Sequence, residues 1–246
     1  MHVISVDNLW KTIKRKKVLR GASLTVGEGQ VYVLAGPNGA GKTTLIRILM
    51  GLITRDAGRV EVLGLEPGGA GWDTVKLEIG YLPEDASPYD RLTGWENLRF
   101  YAELYSRGDP GKVREYLENA AAISGLTREE LSRRAGGYSR GMKRRLLIAA
   151  TLMHNPRLVV MDEPTSGLDV FAAYRVKRTI RSMAGRGYTF LITTHDMSEA
   201  QELATHVGFI ESGRIVFQGT VEEALKAYSA QSLEEAFVRA VGGGRG

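Results

Sequence analysis

Three short stretches carry residue types that could do chemistry together. Gly36-Pro37-Asn38-Gly39-Ala40-Gly41-Lys42-Thr43 fits the pattern G-x-x-x-x-G-K-S/T, in which glycines let the backbone curl and turn successive N–H groups inward toward an oxyanion. It lies between an apolar run, Gln30 to Ala35, and a helical stretch, Thr43 to Leu49, so the positive end of the helix serves the same anion. On this chemistry Lys42 bridges the β- and γ-phosphates of a nucleoside triphosphate, the Thr43 hydroxyl ligates Mg2+, and Thr44 donates to the α-phosphate. The loop by itself specifies only a nucleotide. A glycine-rich turn that binds nothing is the alternative, and eight matching residues in the required context stand against it.

The second stretch, Leu158-Val159-Val160-Met161-Asp162-Glu163, is an apolar strand ending in two carboxylates. In a parallel sheet such an end arrives near the phosphate loop. Asp162 then holds Mg2+ through a water, and Glu163, projecting differently, polarises the attacking water; a solvated acidic loop is the plainer reading. The third is His195, which follows Phe190-Leu191-Ile192-Thr193-Thr194 and emerges at the same carboxyl edge, in reach of a γ-phosphate and a water. A lone His there also serves as an ordinary polar strand end, so the combination carries the argument.

These groups need a particular scaffold. Strand-like runs at Val3 to Val6, Ala22 to Val26 and Gln30 to Ala35 open the chain, and Arg59 to Leu63 and Glu78 to Leu82 flank a short helix, Trp72 to Leu77. From Thr93 to Met153 the period is helical, with Leu98, Tyr101, Ala102 and Tyr105 on one face and Val113, Tyr116, Leu117 and Ala120 on another. Strands and helices then alternate: Leu158 to Met161, Val170 to Met183, Thr189 to Thr193, Ser198 to Leu203, Val207 to Ile210 and Ile215 to Gln218. That alternation predicts an α/β fold with a parallel sheet and an inserted helical lobe. Helices are expected at Val221 to Tyr228 and, capped by Ser232 with Glu235 three residues on, at Ser232 to Val241; Gly242 to Gly246 reads as an unstructured tail.

Composition is that of a globular protein: 246 residues, 43% apolar and 25% charged. The formal charge of +5 is compatible with phosphates, nucleic acid or an anionic membrane surface. With no cysteine and four His, disulfides and thiol catalysis are excluded and a structural zinc site is disfavoured. The charge-free stretch Gly29 to Gly41 is too short and turn-rich to span a bilayer, and the N-terminus lacks the pattern of a secretory signal, so a cytoplasmic chain without a membrane span is expected.

Between these elements stands Tyr138-Ser139-Arg140-Gly141-Met142-Lys143-Arg144-Arg145, and after the acidic strand comes Ser166-Gly167-Leu168-Asp169. In this order and spacing the set resembles an ATP-binding-cassette ATPase, from Val3 to roughly Gln218. Gly80-Tyr81-Leu82-Pro83-Glu84, Leu92-Thr93 through Glu96-Asn97-Leu98, and Leu233-Glu234-Glu235-Ala236-Phe237 make it most similar to nucleotide-binding subunits of exporters for drugs, lipids or polysaccharides. The resemblance implies a P-loop NTPase (RecA-like) core with an antiparallel β subdomain. Core and β subdomain cover 1–85 and 154–219, a helical signature lobe 86–153, and C-terminal helices and tail 220–246. It also implies ATP and Mg2+, a second cassette packed head-to-tail as homodimer or heterodimer, and a separate integral membrane permease on whose cytoplasmic side the chain is peripheral. Ser139 and the Gly141 amide then bind the γ-phosphate of ATP held by the second chain, and Asp169 lies at the seam.

Three departures bear on the chemistry. Where the family usually carries a glutamine stands Glu84, which can accept from Mg2+-bound water but offers no amide proton. Arg140 replaces the first glycine of the signature, and Ile13 occupies the position of the adenine-stacking aromatic ring, with Trp10 three residues earlier. Lys14 to Lys17 with Arg20, and Arg133, Arg134, Lys143, Arg144 and Arg145, form basic groups that read as solvated surface or as contacts to nucleic acid or lipid headgroups, and Arg20 could approach the nucleotide. Of the rings at Tyr89, Trp95, Phe100 and Tyr101, where the family receives a permease helix, Phe100 and Tyr101 are expected in the lobe's core and Tyr89 and Trp95 at the interface. The competing functions are a cassette ATPase in iron–sulfur assembly or in nucleic-acid or ribosome-linked work, and a nucleotide-binding module without turnover.

Overall fold

The structure is a computed structural model that describes residues 2–242. Past Gly242 the expected tail lies outside the described residues, as does Met1. In chain order the elements are β1 (His2–Ile13), β2 (Lys16–Gly27), β3 (Val31–Ala35), α1 (Lys42–Leu49), β4 (Ala57–Val62) and α2 (Trp72–Val75). Then follow β5 (Ile79–Leu82), α3 (Gly94–Ser106), α4 (Pro110–Ser124), α5 (Arg128–Ser132), α6 (Arg140–Leu152), β6 (Leu158–Asp162) and α7 (Val170–Ala184). The chain ends in β7 (Thr189–Thr194), α8 (Met197–Leu203), β8 (His206–Glu211), β9 (Arg214–Thr220), α9 (Val221–Ala227) and α10 (Leu233–Gly242). They fall into two compact units, 1–76 with 184–246, and 77–183.

In the first unit β2, β1 and β4 form an antiparallel sheet in that order. The β1–β2 hairpin closes through Lys14 and Arg15, both left-handed (φ 46° and 66°), the backbone a two-residue hairpin turn needs. Strand β3 lies parallel between β7 and β8, and β9 returns antiparallel to β8. All five residues of β3 are buried, as are Phe190, Leu191 and Ile192 of β7, matching the continuous apolar runs of a doubly covered parallel sheet. Tyr32, fully buried, keeps its hydroxyl satisfied by donating to Gln218 Oε1 at 3.2 Å, and burial raises its pKa.

In the second unit β5 and β6 pair in parallel, and α3 to α6 pack around Leu98, Ala102, Leu131, Ala135, Leu146, Ala149 and Met153. The local chemistry sets the helix starts. Thr93 and Glu96 form a reciprocal capping box at α3, Thr127 and Glu130 another at α5, and the Ser139 hydroxyl accepts from the Met142 amide at 3.2 Å to open α6. Buried Asn97 clamps the approach to α3: its Oδ1 accepts from the Tyr89 amide at 2.8 Å while its Nδ2 donates to the carbonyls of Tyr89 and Thr93 at 3.1 and 2.9 Å. The α/β class, antiparallel sheet and helical insertion expected from the sequence are present.

Candidate functional site

The loop Gly36 to Thr43 joins β3 to α1 in the first unit. Gly36 passes so close to β8 that a Cβ there would sit 2.2 Å from the Ile210 carbonyl oxygen. Gly41 is left-handed (φ 113°), with room for a Cβ denied by Leu19 Cδ2 at 2.9 Å. The turn between β8 and β9 supports the loop from below, the Gly213 amide donating to the Ala40 carbonyl at 2.9 Å. Nothing local to Ser212-Gly213 signals this support, because its partner is remote in the chain. Lys42 is buried and donates through Nζ to the carbonyls of Gly36 at 2.6 Å and Pro37 at 3.3 Å. Among the described residues the loop amides of Asn38, Gly39 and Gly41 make no hydrogen bond. A curled backbone with spare donors and a lysine held inside it fits a polyphosphate. Thr43 and Thr44 follow in the first turn of α1, both half-buried.

His195 is brought to this loop by strand register. Ala35 pairs with Thr194 across the parallel β3–β7 ladder, and the Gly36 amide donates to the Thr194 carbonyl at 3.2 Å. Residues 36 and 195 therefore leave the sheet side by side. Asp196 caps α8, accepting from the amides of Ser198 and Glu199 at 2.8 and 3.1 Å, and Thr194 Oγ1 donates to Glu199 at 2.7 Å. These bonds fix the backbone on either side of the exposed imidazole.

At the end of β1, Ile13 is 39% exposed beside the hairpin turn. Trp10 is already engaged, its indole N–H donating to Asn8 Oδ1 at 2.9 Å and its ring lying under Lys17 Nζ at 5.6 Å. The Arg20 side chain donates to the Lys17 carbonyl at 3.3 Å.

In the second unit β6 delivers Asp162 and Glu163, only 1% and 5% exposed. They do not form the solvated acidic loop that was the plainer reading. Glu163 is left-handed at φ 48°, which costs of order 1–3 kcal/mol for a residue with a side chain and turns its carboxylate away from the strand's alternation. Its carbonyl accepts from the Ser166 amide at 3.2 Å, closing the turn that leads to Asp169. Asp169 is exposed and caps α7, its Oδ1 accepting from the Ala172 amide at 2.9 Å, a structural role that the motif did not signal. Exposed Ser139 and buried Gly141 stand at the start of α6. A Cβ at Gly141 would lie 2.6 Å from Ala172 Cβ, so close packing against α7 requires the glycine independently of any ligand. Glu84 follows β5 with its carboxylate exposed and its carbonyl accepting from Arg144 Nη2 at 3.2 Å.

Two surface expectations need correction. Lys143, Arg144 and Arg145 are not free surface cations: Lys143 pairs with Asp90 at 2.6 Å, Arg144 is 8% exposed, and Arg145 donates to the Ser124 and Gly125 carbonyls that end α4. The rings of α3 also exchange roles. Trp95 packs against the lobe's core with Leu98, Ala102 and Tyr101, while Phe100 is 45% exposed and meets Tyr89 edge-on at 5.3 Å. Helical phase explains this, since Trp95, Leu98 and Ala102 recur at the spacing of one face and Phe100 falls off it.

A family model described as ABC transporter matches residues 19–166. A fluoroquinolones export ATP-binding protein of Mycobacterium tuberculosis (strain CDC 1551 / Oshkosh) is 39% identical over 92% of this chain and 72% of its own length. A daunorubicin resistance ATP-binding protein of Streptomyces coeruleorubidus is 37% identical over 97% of this chain and 74% of its own. Among solved structures, the ATP-binding subunit of an ABC transporter superposes with a TM-score of 0.84 at 26% identity, covering 97% of this chain and 99% of that one. With the phosphate loop, acidic strand and signature helix in place, the chain belongs to the ABC transporter family as an ATP-binding, ATP-hydrolysing subunit.

Proposed function

We propose that the chain is the motor of an exporter: it binds ATP with Mg2+, closes head-to-tail on a second cassette, and drives a separate integral membrane permease. The observation that carries the reading is the β3–β7 register, which sets a curled loop around buried Lys42 beside the histidine that follows the neighbouring strand. The export functions in the names of its relatives support the direction of transport. Among the described residues no helix is long and apolar enough to cross a membrane; in this reading the permease is a separate chain and the cassette docks on its cytoplasmic face.

Gly36 to Gly41 wrap the β-phosphate with backbone N–H groups, Lys42 spans the β- and γ-oxygens, and Thr44 donates to the α-phosphate. Ile13 supplies an apolar edge to adenine. The Thr43 hydroxyl, the Asp162 carboxylate through a water and the Glu84 carboxylate would hold Mg2+: each is a hard oxygen donor, and this ion is commonly held by one or two carboxylates with the substrate's phosphates. Bound there, Mg2+ neutralises charge on the β- and γ-phosphoryl oxygens. Glu163, buried at the end of β6, accepts a proton from the water that attacks the γ-phosphorus as the bond to the β–γ bridging oxygen breaks and ADP leaves. His195 donates to the γ-phosphate. From the opposing chain, Ser139 and the Gly141 amide bind that same γ-phosphate, and Asp169 links the two sites across the seam.

The test is to express the tagged chain in its source cells, isolate membranes and purify what it retains. A polytopic membrane protein that copurifies, and whose substrate efflux stops with Lys42→Ala, is the expected result. Copurification with a soluble scaffold or nucleic acid alone overturns the reading.

A further inference from the structure

Within the second unit the start of α6, the segment after Glu84 and the turn before Asp169 line an open pocket of about 290 Å3, with Ser87, Arg140, Lys143, Arg144, Ser166 and Gly167 around an apolar floor. That is space for about ten waters at roughly 30 Å3 each. No carboxylate is among its lining residues. Arg144 is 92% buried by its 8% exposure, and its Nη1 is fully buried with no hydrogen-bond partner among the described residues, while Nη2 donates to the Glu84 carbonyl. An unpaired guanidinium N–H is costly in so buried a place; solvent does not reach it, so it lies behind the cavity wall and not in the cavity. The Arg140 side chain makes no ion pair or hydrogen bond among the described residues, and Lys143 is paired with Asp90 at 2.6 Å. Burial pulls the Arg144 pKa down and the nearby Glu84 carboxylate pulls it back up, so the guanidinium stays charged.

We infer that this cavity is an oxyanion site for inorganic phosphate. Three cations against Asp90, with Glu84 close by, leave a surplus matched to an anion carrying one to two charges, and the two serine hydroxyls add neutral donors. Ser139 and Gly141, assigned above to the γ-phosphate of the opposing chain, do not line it. An anion here ties together the signature helix, the Glu84 segment and the Ser166 to Leu168 turn. The product of hydrolysis thereby acquires a hold on three segments of the motor, a consequence that rests on the function proposed above, whereas binding itself does not.

Calorimetric titration of inorganic phosphate into the nucleotide-free full chain carrying Lys42→Ala, which disables the triphosphate loop, tests the inference. One phosphate per chain is expected, weakened by about tenfold or more with Arg144→Met or Arg140→Gln added, the loss typical of one charge-assisted hydrogen bond. Arg140 is on the surface, so its replacement keeps the test valid if Arg144→Met fails to fold. Acetate should bind at least about tenfold more weakly than phosphate, because it has fewer acceptor oxygens and less charge. Absence of phosphate binding to Lys42→Ala, binding unchanged by Arg140→Gln, or acetate binding as tightly as phosphate overturns it; the last result marks a socket for a protein carboxylate.

Discussion

His154, just past α6, offers a quantitative test of how the helical lobe is packed. Its ring is 8% exposed, stacks on Tyr105 with centroids 3.6 Å apart and planes 8° from parallel, and meets the edge of Tyr116 at 6.4 Å. Neither ring nitrogen has a hydrogen bond of normal geometry among the described residues, although the Ile79 backbone is near enough to favour the proton slightly. Burial dominates and lowers the pKa from 6.5 to about 4. The folded chain therefore keeps His154 neutral where the unfolded chain has already taken up a proton. The stability that the neutral ring contributes is present above about pH 6.5, falls as pH drops toward 4, and is gone below it. The whole span amounts to about 3.4 kcal/mol and about 2 kcal/mol is gone by pH 5. His154→Phe keeps the stack on Tyr105 and removes the titration. Urea unfolding followed by circular dichroism at a series of pH values should show wild type losing about 2 kcal/mol more than His154→Phe between about pH 7.5 and 5. Carboxylates titrate in both proteins and cancel in the difference. Parallel pH profiles for the two proteins would refute the packing argument.

Gly36→Ala should cost at least about 2 kcal/mol in urea unfolding and abolish binding of a fluorescent ATP analogue, because its Cβ meets the Ile210 carbonyl at 2.2 Å; unchanged stability would show the loop free to move off β8. Gly141→Ala is expected to destabilise by about 1–3 kcal/mol through its contact with Ala172, and Gly141→Ala with Ala172→Gly to recover much of that by the same measurement. If ATPase activity fails to return in the stable double variant, the glycine serves nucleotide contact as well as packing.

The phosphate loop and the strand preceding it were legible because their meaning is local: glycine spacing fixes the backbone and an unbroken apolar run marks a doubly buried strand. Strand lengths were less so. Inside the expected Val3 to Val6 and Ala22 to Val26, only Ile4 to Val6 paired with Leu24 to Val26 runs without a break; register shifts interrupt the twelve-residue strands β1 and β2 on either side and scramble alternation. Similarly, the helix at Trp72 to Leu77 ends at Val75 and tightens into a 3-10 turn over Lys76–Glu78. Burial of charged residues was illegible, since Arg144 and Arg145 read as surface until α4 and the Glu84 segment cover them. The choice between Trp95 and Phe100 was legible in helical phase, because Trp95 precedes Leu98 by three residues on the face that meets the other lobe helices. The left-handed backbone of Glu163 has no sequence signature, because nothing in the residue type favours it.

Glu163→Gln bears most directly on the claim that two chains complete each hydrolytic site. ATP turnover per chain should rise with wild-type concentration, whereas the variant should turn over about 100-fold or more slower while sedimenting as a dimer in ATP and a monomer without it. Turnover retained in the variant, or a variant that remains monomeric with ATP bound, would contradict the account.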